Sequence, residues 1–131
     1  MVNGYMKRFF NEIWEALREV LHLQIASLKL RLAIWLSDWR QRAYNKRFFV
    51  VLMVVGYKGG KEVLRLRSIS NEEFKHCKRK GWLPKTMSYL ELSQKAFYQT
   101  DLKRNNSETY AARQAAKAKY LRYQKTLNRW I

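Results

Sequence analysis

The sequence predicts a mostly helical α+β protein: a long N-terminal amphipathic helix, one β-hairpin, two short capped helices and a basic C-terminal helix. Three observations predict it. From Tyr5 to Ala43 apolar residues recur every three or four positions with no Pro or Gly. A run of β-branched and aromatic residues at 48–55 stops at Gly56. Twice a Ser is followed three residues later by Glu, each time inside a pair of apolar residues spaced to clasp a helix start.

In the first segment Phe10, Trp14, Leu17, Leu21, Ile25, Leu28, Leu32, Trp35 and Trp39 mark one stripe, which is the periodicity of a helix. A second row, Ile13, Val20, Leu23, Leu30, Ile34 and Leu36, makes the apolar surface wider than a two-stranded seam. A helix of about 38 residues would run roughly 57 Å, longer than a compact domain of this size. It must therefore break, with Gln24 to Ser27 as the place for a kink into two antiparallel halves, or find a second surface. The stripe from Phe10 to Trp35 is the expected oligomerisation or docking face.

Phe48 to Val55 lacks a polar face and is expected to be a strand buried on both sides. Beyond Lys58-Gly59-Gly60-Lys61, Leu64 and Leu66 alternate with Arg65 and Arg67, so the second strand should bury its leucines and expose its arginines. Ser70 with Glu73, and Ile69 with Phe74, predict a helix from Asn71 that ends near Lys80, since Gly81 suits a left-handed cap and Pro84 forbids continuation. Ser88 with Glu91, and Met87 with Leu92, predict another through Phe97 to about Thr100. Residues 101–107 are polar and Asn-rich, a loop. After it Ala112, Ala116, Tyr120, Tyr123, Leu127 and Trp130 fall within about 80° of a helical wheel and the cations cover the remainder. That narrow stripe, with two alanines among its six residues, suits docking on the rest of the chain better than insertion into a membrane. The chain thus divides into a helical segment 1–45, a hairpin and two-helix core 46–100, and a basic helix 101–131.

Charge sets the expected partner. Twenty-seven Lys and Arg face ten Asp and Glu, a net charge of +17, while five Trp, eight Tyr and six Phe argue against a disordered polyelectrolyte. Residues 1–45 carry +3, residues 46–100 carry +8 and residues 101–131 carry +6. One cysteine, Cys77, allows no internal disulfide, and no uninterrupted apolar run reaches the roughly 18–20 residues of a spanning helix. The expectation is a cytoplasmic or virion-associated chain without a membrane span.

Residues 47–100, through an apolar strand, a second strand, SNEEFKHCKRKGWLPK and SYLELSQKAFYQT, resemble small uncharacterised basic proteins of DNA bacteriophages infecting gut bacteria. The resemblance covers less than half of the chain and includes no catalytic motif. What it implies is a setting, the infected cell or the virion.

Motifs for chemistry are missing. His22, His76 and Cys77 are the only soft metal ligands, and the adjacent pair is poorly spaced for one ion. Gly59-Gly60 lacks the pattern and the following helix of a phosphate loop. Two histidines supply no plausible triad, and Glu72 and Glu73 suit the positive end of a helix. The expectation is a protein that is not an enzyme, with no cofactor, metal or small-molecule substrate. Its partner is expected to be nucleic acid, DNA more than RNA, held by Arg65, Arg67, Lys75, Lys78, Arg79, Lys80, Lys85, Arg113, Lys117, Lys119, Arg122, Lys125 and Arg129 through phosphates, with Trp82 available to stack on a base. The seven-residue connection from Gly81 to Met87 is longer than a helix-turn-helix turn, which speaks against operator recognition. The competing expectation is a structural or adaptor component that assembles through its first helix.

Overall fold

A computed structural model describes residues 4–127. Along the chain come α1 (Gly4–Tyr44), β1 (Phe48–Lys58), β2 (Lys61–Ser70), α2 (Asn71–Lys80), α3 (Tyr89–Lys95), β3 (Tyr98–Gln99) and α4 (Asn106–Leu127). The strands form an antiparallel sheet in the order β2-β1-β3. Strand β1 is central and, as its composition demands, covered on both faces. Phe49, Val51 and Met53 pack with Ile69, Phe74, Cys77, Leu83, Met87 and Leu92 from the α2–α3 side. Val50 packs on the opposite face with Ala26, Leu30 and Ile34 of α1, Tyr98, and Ala116 and Tyr120 of α4.

The hairpin turns at Gly59 and Gly60, whose φ values of 59° and 79° lie in the region a two-residue turn of this hand requires and a side chain resists. One extra residue, Val55, sits between the Val54–Leu64 and Gly56–Val63 pairs and bulges the strand. Helix α2 starts and stops where the sequence places it. The Ser70 hydroxyl accepts from the Glu73 N–H, and the Glu73 carboxylate accepts from the Ser70 N–H. At the other end Gly81 is left-handed at φ 79°, its N–H donating to Lys78, while the Trp82 N–H donates to Cys77.

Helix α3 is shorter than expected. Its cap forms, Ser88 accepting from the Glu91 N–H, but the helix stops at Lys95 and Ala96 is extended. Residues 97–100 are instead drawn onto the free edge of β1: Phe97 N–H donates to Val50, Thr100 N–H to Phe48, and the buried Thr100 hydroxyl accepts from the Phe48 N–H at 2.9 Å. Backbone donors left open by a buried strand outweigh the propensity of a fourth helical turn. The last helix also begins within the expected loop. Asn105 caps it, its side-chain oxygen accepting from the Glu108 N–H while its amide donates to the Glu108 carboxylate.

Helix α1 runs unbroken for 41 residues, without the kink at 24–27. Among the described residues its buried side chains all lie in the second half: Ala26, Leu30, Ile34, Ser37 and Gln41. Small and polar residues dominate this face because the helix comes close to β2. Ser37 bonds the Ser68 hydroxyl at 2.7 Å, and Arg40 reaches the Ser68 carbonyl and the Glu73 carboxylate, each at 2.6 Å. Of the second apolar row, Leu30 and Ile34 are buried, Leu23 is half-buried, and Ile13, Val20 and Leu36 are exposed.

Two outcomes follow. Thr100→Val should lower the unfolding free energy by about 1–3 kcal/mol in urea titration, because it strands a buried N–H. Burial, reinforced at Tyr98 by Asp38, raises the Tyr98 and Tyr120 phenols above their ordinary 10.0. The folded state then keeps these protons more tightly than the unfolded chain, so stability present below pH 10 should fall as pH rises through the raised values. Tyr120→Phe should flatten that decline in thermal melts.

Candidate nucleic-acid interface

Strand alternation decides where the hairpin arginines go. Arg65 and Arg67 lie opposite Met53 and Val51, so they project on the α2 side of the sheet, and both are exposed. Helix α2 buries Phe74 and Cys77 and turns Lys75, His76, Arg79 and Lys80 outward. Arg65, Arg67, His76 and Trp82 together line one side of an open cleft of about 900 Å³ that wraps the outer edge of β2. Lys85 is exposed on the connection beyond α2.

The two carboxylates beside these cations are already matched. Glu73 is held by Arg40 at 2.6 Å and Glu72 by Lys46 at 3.1 Å. Among the described residues Arg65, Arg67, Lys75, Arg79, Lys80 and Lys85 have no hydrogen-bond or ion-pair partner, and all six are exposed. Lys78 differs: its ammonium donates to the Met87 carbonyl at 3.2 Å and lies 4.6 Å from the centre of the Phe74 ring, so it ties α2 to the segment that follows. Trp82 is half-buried against the core, its carbonyl accepts from the Val54 N–H and its ring meets His76 edge-on. The indole thus packs partly against the core and partly lines the cleft beside Arg65 and Arg67.

Helix α4 packs on α1 in the other layer, and its cations divide: Arg113 lies beside α1, whereas Lys119 and Arg122 border the end of α3 at the β3 edge, away from Arg65 and Arg67 on the β2 edge. Arg113 pairs with Asp38 at 2.7 Å, which raises the guanidinium's affinity for its proton. Lys119 donates to the Gln94 and Ala96 carbonyls at 2.7 and 3.0 Å, where α3 ends, and burial, with Arg122 nearby, lowers its pKa below the usual lysine value. Arg122 bonds back to Ala118 within its own helix, while Lys117 and Lys125 are exposed. Arg129 lies outside the described residues, as does Trp130. Sequence reasoning missed Lys58 and Lys61, which face each other at the hairpin tip and extend the basic surface. The two-residue Gly turn between them was the available signal.

Among the described residues no group of three His, Cys, Asp or Glu side chains could hold a metal ion. Cys77 is buried, and desolvation followed by the charge of Glu73 pushes its thiol pKa up, away from the reactive thiolate.

The eight residues of the expected oligomerisation stripe, Phe10, Trp14, Leu17, Leu21, Ile25, Leu28, Leu32 and Trp35, are all exposed, with Trp14 and Trp35 at 65% and 64%. By length and composition α1 also qualifies as a helix able to cross a membrane, with a mean hydropathy of 1.2 over its most apolar window. Twenty-two per cent of that window is buried against the rest of the chain, which holds it on the sheet.

No family model matches the chain. Comparison with curated proteins and with solved structures likewise gave no match.

The division of labour among cations is measurable. Lys119→Met should lower stability by about 1 kcal/mol in urea titration, since it leaves two carbonyls at the α3 terminus without their donor. Arg79→Ala, which removes no internal contact, should leave the urea midpoint unchanged.

Proposed function

We propose that the chain is a non-catalytic nucleic-acid-associated protein that holds the phosphate backbone with little sequence preference. The observation that carries this reading is the surface of α2, β2 and the connection after α2: six cations without a partner among the described residues, beside acids that Arg40 and Lys46 already neutralise. Such an array suits a regularly spaced polyanion, and the net charge of +17 draws one in from a distance. With Trp82 partly buried against the core, ionic contact more than base stacking carries the proposed binding, which favours duplex DNA over single strands. The setting proposed with it, an infected cell or a particle, rests on the resemblance of residues 47–100 to phage proteins alone.

A second reading, a structural or adaptor protein, is favoured by the exposed stripe of α1. The two readings use different surfaces. If about six phosphates are neutralised, log K for duplex DNA should fall with log salt at a slope near −5, and Arg65→Ala with Arg67→Ala should reduce that slope by about 2. Affinity that stays flat between about 50 and 300 mM salt in filter binding would remove the proposal.

A further inference from the structure

The outer face of α1 carries an inference that does not depend on the phosphate-binding reading. At about 100° per residue, the stripe from Phe10 to Trp39 occupies about 80° of the helix surface and is centred about 180° from the line of Ala26, Leu30 and Ile34. It therefore points directly away from the sheet along the whole helix, and its residues are exposed from end to end.

The repeat of the stripe separates two occupants. Eight steps carry it from residue 10 to residue 39, about 3.6 residues per step, the period of a straight helix rather than the 3.5 that winds two helices into a left-handed supercoil. The stripe runs straight and fits a flat surface. The charges along its borders point the same way. Lys7 and Arg18 flank it on one side and Arg31 and Arg42 on the other, whereas Glu12, Glu15 and Glu19 sit on the opposite face of the helix. Exposed Tyr110 and Lys117 of α4 adjoin Arg31 and Trp35 and add a further cation to that border. Because both borders are cationic, pairing two copies stripe to stripe would set like charges against each other in either orientation, between bodies of +17 each. An anionic lipid surface meets both demands: apolar depth for the tryptophans, phenylalanine and leucines, and negative headgroups for the borders. A transverse orientation does not, since the outer half carries Lys7, Arg8, Glu12, Glu15, Arg18 and Glu19 and the inner half is fastened to the sheet.

We propose that α1 lies in the plane of an anionic bilayer, stripe downward, and carries the globular unit on its water-facing side.

The test is co-sedimentation of the full chain with vesicles of phosphatidylcholine alone and of phosphatidylcholine with about one third phosphatidylglycerol, read together with tryptophan emission. Binding at least about tenfold tighter to the anionic vesicles, with a blue-shifted emission maximum, is the expected result. The neutral substitutions Leu17→Gln, Leu21→Gln and Leu28→Gln should weaken it at least about tenfold while leaving the urea midpoint in place, since all three side chains are exposed. Arg65→Ala with Arg67→Ala should leave vesicle binding intact, which separates this outcome from the nucleic-acid reading. Vesicle binding that the glutamine variant retains in full would overturn the proposal. So would the absence of vesicle binding together with a lipid-free dimer that the same substitutions dissolve, which would assign the face to a second copy.

Discussion

A strand with no polar side is the constraint from which the rest of the architecture follows. Phe48 to Val51 are all buried, and neither face of β1 can be left to water. Burying a side chain of this size contributes roughly 1.5–3 kcal/mol, so a second covering layer is worth more than any single cap or ion pair in the chain. That is why the elements sort as they do. The short capped helices close one face, the two long helices close the other, and residues 97–100 are taken from a helix to close the remaining edge.

What local chemistry governs was legible in the sequence. The bounds of α2 follow from Ser70, Glu73 and Gly81, and the hairpin from two adjacent glycines at positive φ. What escaped was decided by distant partners. Nothing within residues 88–100 announces that β1 needs Thr100 as an acceptor, 52 positions away. The face of α1 that packs was hidden for a related reason: Ala26, Ser37 and Gln41 mark it, and counting apolar residues leads to the opposite side.

The candidate surface shows the same division. Arg65 and Arg67 could be placed from strand alternation alone, and Lys75, Arg79 and Lys80 from the helix period. The roles of Lys78, Arg113 and Lys119 could not, because each is set by an acceptor on another element: the Met87 carbonyl, Asp38, and the end of α3. A basic composition thus divides in two. Some cations are exposed without a partner among the described residues, while others fasten helices to the body, and only the fold separates them.

The continuity of α1 gives the molecule a fixed phase. One helix supplies both the contacts at Ser37 and Arg40 and the outer half from Gly4 to Leu23, with no glycine or proline joint in between. Body and protrusion therefore behave as gears on one shaft. A single residue inserted near Gln24 would turn the outer half by about 100° relative to the sheet, and four residues would nearly restore it. The azimuth of the distal aromatic residues is thus written in residue count, and chain length between the two halves becomes as constrained as any side chain.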